Sequence, residues 1–443
     1  MIQAGFARVD VTPQLGTPLT GHFETRLAEG ILDPLELNAV ALKAGEDTVV
    51  VITGDFMYTS VKEVTRFRNL IAAETGLPLD CIFYQSLHQH TSTTPGVTGA
   101  VDRIYQDFLS RKFCDVVKMA IDDLGDAKVY IGQEQTSEPV AFIRRYYLKN
   151  GSIKTNPGYL NPDVVGPVGE ADNTVRLVKF EREGKPDIAM VGFQNHPDMF
   201  AGKKISADWP GFVRRMTEAR IANTRCILIN GCQGDVNHVN VFAPNPAAGL
   251  KKGNPERIRV KYEFCRKISA IITDSVVSLW EKAEACEVDN VYSKVVYKRF
   301  LTKTEGFERI DEMKALYNRF MSGDKPTKEE LPPEGVGLVG RIAGMENKPV
   351  VQNVPVSVVA FGKIAILGYA GEPFTEYAKT VRDAVPELLL FTACLANGAE
   401  GYLPSKESFA QGSYEVASTV FPPELPEVLQ STATEMLKEY LAQ

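Results

Sequence analysis

Four of the five histidines in this chain fall in three short polar segments, each of which follows an apolar, strand-like run. His88 and His90 lie in Ser86-Leu87-His88-Gln89-His90-Thr91, His196 in Gln194-Asn195-His196-Pro197-Asp198, and His238 in Gly234-Asp235-Val236-Asn237-His238. Neutral imidazole is the commonest side-chain metal ligand and titrates close to neutral pH. Any one of these residues alone reads as well as a buried polar group satisfied by the backbone. Their joint placement points instead to a metal-dependent catalytic site. Two histidines, one carboxylate and an open position for water form a common hydrolytic zinc arrangement, and spacing alone leaves the choice of ligands open. Residues i and i+2 of a regular strand share a face, so His88 and His90 are expected to reach one pocket. No HExxH helix and no CxxC pair is present, which excludes the common metalloprotease signature and a thiolate zinc site.

The elements that must position these residues alternate between strand and helix. Apolar or β-branched runs predict strands over 35–42, 48–53, 81–86, 128–132, 174–180, 188–193, 225–229, 288–300, 356–361, 364–367 and 388–395. Helical spacing covers 61–75, with Ser60 as N-cap, and 103–124, 209–221, 256–284, 375–385 and 423–441. Stretches 149–169 and 322–344 are rich in Gly, Pro and polar residues and read as irregular, the second as a candidate lid. The expected fold is α/β (α+β mixed), one large unit over 1–443 with mixed β-sheets flanked by helices. On such scaffolds sites gather at strand ends. This adds Gly54-Asp55, Gly371-Glu372 and Gly401-Tyr402 to the histidine loops as candidates.

Composition limits the alternatives. A hydrophobic content of 44% and a charged content of 24% are ordinary for a globular protein. A net charge of −7 argues against a general nucleic-acid binder. No apolar run reaches the roughly 18 residues of a membrane span. The N-terminus lacks the pattern of a signal peptide, so the expected compartment is cytoplasmic, or else periplasmic or secreted after removal of a signal. The seven cysteines are widely spaced in apolar runs and read as reduced core thiols.

The order of the motifs resembles the catalytic domain of the neutral/alkaline, non-lysosomal ceramidases. Ala7-Arg8-Val9-Asp10-Val11-Thr12-Pro13 is similar to that family's opening strand and turn. Ser86 to Gly96 resembles its His-Thr-His-Ser-Gly-Pro-Gly loop, and Asn195-His196-Pro197 its Thr-His-Pro segment. Gly234-Asp235-Val236 resembles its Gly-Asp-Val-Ser turn, and Gly371-Glu372-Pro373-Phe374-Thr375 its Gly-Glu-Phe-Thr segment. Gly401-Tyr402-Leu403-Pro404-Ser405 and Tyr414-Glu415-Val416-Ala417-Ser418-Thr419 resemble its last pair of motifs. The resemblance spans nearly the whole chain. It implies Zn2+ held by His88, His196, Glu372 and Tyr402, with His90 and Tyr414 facing the substrate. It also implies an arginine at the scissile amide, Arg144 with Arg145 as its rival. His22, Asp55, Asp235 and His238 are left as substrate-binding or supporting groups, and the question of a second metal at Asp55, Asp235 or His238 stays open.

Departures from the family pattern matter as much. Asn237 stands where the family has serine, and an amide side chain is no nucleophile, though it can donate a hydrogen bond. The family's C-terminal β-sandwich segment has no counterpart in the sequence. Three readings follow: a zinc-dependent hydrolase of a non-peptide amide, a ceramidase proper, and a non-catalytic relative that binds a sugar or a lipid headgroup. The expected partner is a small-molecule or lipid-like substrate, with the oligomeric state open.

Overall fold

The computed structural model describes residues 2–24, 26–96, 103–251, 254–333, 335–345 and 348–443. Nine strands build a large mixed sheet: β1 (Ile2–Asp10), β2 (Glu36–Ala44), β3 (Asp47–Gly54), β4 (Ile82–Ser86), β5 (Gly125–Gln135), β6 (Thr174–Arg182), β7 (Asp187–Phe193), β8 (Thr224–Asn230) and β9 (Glu284–Cys286). Their order is β8-β7-β6-β5-β1-β2-β3-β4, with β9 also paired to β5. Four further strands, β10 (Tyr292–Leu301), β11 (Val351–Phe361), β12 (Ile364–Tyr369) and β13 (Leu389–Ala393), form a second sheet in chain order. The pairs β3/β4, β7/β8 and β12/β13 are parallel, so each brings two carboxyl ends side by side.

Alternation within the strands sets the layers. Ala4, Phe6, Val40, Leu42, Ile188, Met190, Ile227 and Ile229 point from the large sheet into a core shared with Val359, Phe361, Ile364, Ile366 and Phe391 of the second. The intervening residues, such as Ala39, Ala41, Val50 and Ile52, face the opposite way. They pack under α1 (Val61–Thr75) and α2 (Arg103–Asp122), while Ala189, Val191 and Leu228 pack under α3 (Asp208–Arg220) and α4 (Pro255–Lys282). The outer face of the second sheet, with Val356, Val358 and Leu367, is covered by α7 (Thr375–Ala384) and α10 (Leu425–Leu441). The molecule is thus four layers, helix–sheet–sheet–helix. Strands β2, β3, β4, β7, β8, β12 and β13 are buried on both faces along most of their length, so they read as continuous apolar runs rather than as alternation.

The expected strands and helices are present, with shifted ends. Helix α1 begins after Ser60, whose hydroxyl accepts from Glu63 N, and stops at left-handed Gly76. Pro355 lies inside β11, opposite Tyr297 of β10 and before the pairing with β12 begins at Val356, where its missing N–H breaks no ladder bond on that side. Two stretches expected to be irregular carry structure. Ile153–Thr155 and Val164–Pro167 flank Arg145–Leu148 in a small sheet. The second stretch, 322–344, holds α6 (Val336–Ala343), which with α5 (Ile310–Ser322), in a preceding segment for which the sequence predicts no element, closes a separate apolar cluster around Met313, Phe320 and Val339. Two short helices, α8 (Lys406–Gln411) and α9 (Tyr414–Ser418), precede α10. No helix among the described residues is long and apolar enough to cross a membrane. All seven cysteines are free, and six of them are buried.

Candidate metal centre

The polar loops meet where the carboxyl ends of the parallel strand pairs converge at the seam between the two sheets. Backbone hydrogen bonds stitch them there: Leu87 N to Gly54 O at 2.9 Å, Gly231 N to Phe193 O at 2.9 Å, Cys394 N to Asn230 O at 3.0 Å and Gly234 N to Pro373 O at 2.9 Å. Buried amides brace the seam further. Gln85 Nε2 donates to Asn230 O and Cys394 O, and Asn230 Nδ2 donates to Leu87 O. Gly234 is required by this closeness, because a Cβ there would sit 2.3 Å from Glu372 O.

His88, His90 and His196 are brought together, with ring nitrogens within 4.8 Å of one another. The route differs from the expected one. Strand β4 ends at Ser86, and His88 adopts a left-handed backbone with φ 77°, so the pair does not share a strand face. A left-handed conformation is costly for a β-carbon residue and persists where surrounding contacts enforce it. Here His88 N donates to Phe56 O and His88 Nδ1 lies 2.8 Å from Met57 O. His90 Nδ1 lies 2.9 Å from Gly21 O, and Gly21 is kept small because a Cβ would fall 2.7 Å from that nitrogen.

These contacts decide what the rings offer to one another. With Nδ1–H donated to carbonyls, His88 and His90 turn Nε2 lone pairs inward. His90 Nε2 is 3.0 Å from His196 Nε2, and His88 Nε2 is 3.3 Å from Glu372 Oε2. His88 Nε2 and Glu372 Oε2 are buried with no hydrogen-bond partner. Burial, and then the neighbouring His88 ring, holds His90 well below the ordinary imidazole range. Burial and then Arg144 do the same for His196. Neutral imidazoles and a buried carboxylate aimed at one point leave lone pairs unmatched, and a divalent cation is the group that would match them. The residues therefore fit a metal ion.

Arg144, not Arg145, faces this cluster. Its Nη1 lies 3.5 Å from His196 Nδ1, and its guanidinium carbon lies 5.1 Å from the centre of the Tyr402 ring. Burial opposes its charge, but Tyr402, Glu415 and Glu372 more than offset that and hold the guanidinium charged. Glu415, fully buried, accepts from Arg144 Nε at 2.8 Å and from Thr155 Oγ1 at 2.7 Å. Arg145 turns away to Ser408 Oγ and Gly412 O, bordering a separate cavity of about 660 Å³. Tyr402 pairs with Glu372 in a short parallel bridge, and burial raises its hydroxyl well above the usual phenol range. Tyr414 stands next to it, ring centres 5.7 Å apart.

The remaining candidates surround the cluster. The His22 ring meets His90 edge-on at 5.7 Å. Asp55 lies beneath the histidine loop, ion-paired with Arg214 at 2.6 Å and holding Gln89 Nε2 at 2.7 Å. Asp235 accepts Thr375 N and Thr375 Oγ1 and so caps α7, and burial pushes its carboxyl up to about 6. His238 contacts Asp198 at 3.1 Å. Asn237 donates to Asn156 Oδ1 at 2.8 Å and accepts from Val239 N at 2.9 Å. Glu415 and Arg214 were not anticipated. The available signal was a charged residue inside an otherwise apolar or motif segment, which on burial requires a partner.

No protein-family model matches this sequence, and no curated protein matches it. Solved structures do. Neutral ceramidase from Pseudomonas aeruginosa superposes with a TM-score of 0.73 at 16% identity, over 98% of this chain and 74% of that one. A ceramidase complexed with C2 superposes with a TM-score of 0.71 at 15% identity, over 99% and 75%. This chain has the neutral ceramidase fold. The likeness to neutral ceramidase extends over both sheets and their covering helices, because the superposition leaves almost none of the chain out.

Proposed function

We propose that this protein is a zinc-dependent hydrolase of a non-peptide acyl amide. The observation that carries the reading is the convergence of His88, His90, His196 and Glu372, with unmatched lone pairs, beside the buried Arg144, in a fold shared with neutral ceramidase. His88, His196 and Glu372 would hold the ion, and His90 and Tyr402 compete for its next position. When bound, zinc supplies Lewis acidity toward a carbonyl oxygen and acidifies water to a pKa near ~7.

The protein's own groups do the rest. Arg144, charged and anchored by Glu415, is placed to stabilise negative charge developing on the amide oxygen. Tyr402 and Tyr414, both neutral, offer hydroxyl donors on the same side. Glu415 fixes the guanidinium rather than reacting, and Asp235 fixes the helix that follows Glu372. Asn237 belongs with these positioning groups, since both ends of its amide are engaged.

The test combines composition and turnover. Protein purified without added zinc is subjected to elemental analysis and then assayed on short-chain fluorescent ceramide and on simpler N-acyl amides, before and after chelation. Near-stoichiometric zinc with chelator-sensitive hydrolysis is the expected result. Absence of zinc with no uptake on titration overturns the reading. Zinc without turnover of any amide favours a non-catalytic binder instead.

A further inference from the structure

One residue before Tyr414 the backbone takes a conformation that belongs almost wholly to glycine. Ser413 has φ 83° and ψ −179°. Gly412, just ahead of it, has φ 69° and ψ −146°, which costs a glycine little. With a β-carbon the same region is crowded, so Ser413 persists there only because its surroundings hold it.

The hold is on the side chain. A serine ahead of a helix ordinarily turns its hydroxyl onto the free N–H groups of the first turn. Ser413 precedes α9 and makes no such bond. Its Oγ instead accepts from Thr155 N at 3.1 Å and lies 2.8 Å from Thr155 Oγ1. Thr155 has a single hydroxyl hydrogen, and that goes to Glu415 Oε2 at 2.7 Å. Ser413 must therefore be the donor to Thr155 Oγ1. The hydroxyls run in one direction, from Ser413 through Thr155 to the Glu415 carboxylate. Glu415 Oε1 in turn accepts from Arg144 Nε at 2.8 Å. Arg145, paired with Thr155 across the small sheet, closes the circuit by donating Nη2 to Gly412 O at 2.9 Å. Tyr414 is enclosed between the two anchored residues, its ring centre 5.7 Å from that of Tyr402. Arg144 and Glu415 are buried and Ser413 and Thr155 half-buried, so water competes weakly for these bonds.

We propose that Ser413 is a positioning residue: its strained backbone aims Tyr414, and its hydroxyl, through Thr155 and Glu415, holds Arg144 against the histidine cluster. Its service to catalysis rests on the amide-hydrolase reading above; the hydrogen-bonded chain itself does not. Glycine at 413 would take this backbone without strain but would leave Thr155 without its hydroxyl partner. Strain kept at a position next to reactive groups is the mark of a geometry held for function.

Ser413→Ala and Ser413→Gly both remove the hydroxyl and differ only in the β-carbon. Glycine ordinarily destabilises relative to alanine, through the freedom it adds to the unfolded chain. Here the order should invert, with the urea midpoint of Ser413→Gly above that of Ser413→Ala. Both variants should release the guanidinium. In 15N spectra the Arg144 Nε–H signal, identified by its loss in Arg144→Gln, should exchange with water at least about tenfold faster than in the parent. On zinc-loaded protein, kcat for short-chain fluorescent ceramide or simpler N-acyl amides should fall about tenfold, with KM and zinc content within about twofold. Thr155→Ser should keep parental exchange and turnover. Thr155→Val should lose both, and it carries the test of the chain if Ser413→Ala does not fold. A Ser413→Gly midpoint at or below that of Ser413→Ala overturns the strain, and parental Nε–H exchange in the variants overturns the chain. Parental kcat with faster exchange overturns the positioning role. Faster exchange in a protein that cleaves no amide upholds the chain and sinks the hydrolase reading alone.

Discussion

Glu372→Gln tests the metal centre most directly. The carboxylate is 8% exposed, its Oε2 has no hydrogen-bond partner, and it lies 3.3 Å from an equally unpartnered imidazole nitrogen. Zinc at about a thousandfold excess over its Kd stabilises the folded state by ~4.1 kcal/mol. An unfolding entropy of ~2.1 cal/mol/K per residue over 443 residues comes to ~0.9 kcal/mol/K, so Tm should rise by ~4 °C on zinc addition. Gln keeps the shape and removes the charge. A loss of about a hundredfold in affinity, ~2.7 kcal/mol, leaves ~1.4 kcal/mol and a shift below ~2 °C. The metal-free variant should be no less stable than the parent, because an unpaired buried carboxylate is exchanged for a neutral amide. Differential scanning calorimetry in chelator and in zinc measures both quantities. A full ~4 °C shift in the variant, or a strongly destabilised metal-free form, refutes the assignment of Glu372 as a ligand.

Arg144→Gln should lower kcat about a hundredfold or more with zinc content unchanged, the usual range for a lost oxyanion donor. It should also cost about 3 kcal/mol in urea unfolding, because Glu415 is left buried without its nearest cation. Gly234→Ala drives a Cβ to 2.3 Å from Glu372 O and should cost about 2 kcal/mol while loosening zinc binding; retention of both refutes the close approach. Asp208, buried, has its carboxyl pushed up to about 7. A raised folded-state value means that the stability it contributes is full below the ordinary carboxylate range and is lost as pH rises through about 7. Asp208→Asn removes that titration and suits the left-handed backbone at φ 51°. Its denaturation midpoint should change less than the parent's between pH 5 and pH 8, as read by parallel urea titrations.

The strand-like runs made the sheets legible in the sequence, because buried strands announce themselves as apolar stretches ending in polar loops. What the sequence did not carry was the geometry of convergence. A regular strand would place His88 and His90 on one face, yet they meet through a left-handed turn at His88, which is held by Phe56 O and Met57 O while Gly21 O holds His90. Arg144 and Arg145 are indistinguishable as a dipeptide. Both reach Glu415, Arg144 at 2.8 Å and Arg145 at 3.7 Å, and they separate because Ser408 and Gly412 claim the Arg145 guanidinium while Arg144 Nη1 lies against His196. Asp55 and Asp235, candidates by their position after strands, prove to be supports: a carboxylate at a loop start serves equally to cap a helix or to pair with a buried arginine, and sequence gives no means of choosing. Helix α6 leaves little signal in the sequence, because its eight residues include two glycines and lie in a stretch of turn-forming composition.

Asn237, at a position where the sequence resemblance implies serine, bears on the geometry around Arg144. Its amide spans two tasks: Oδ1 accepts from Val239 N, and Nδ2 reaches Asn156 Oδ1. Asn156 is itself held at a positive φ and donates its backbone N–H to Arg144 O at 2.7 Å. Asn237 pairs with Phe142 beside Val236↔Ile143, so the segment that carries Arg144 is gripped from both the Asn237 turn and the Asn156 loop. A serine hydroxyl is too short to span to Asn156 while keeping its turn bond. The position therefore acts on Arg144 through the backbone, as a brace. Under the proposed reading, water is the nucleophile, and the orientation of Arg144 is what that brace protects.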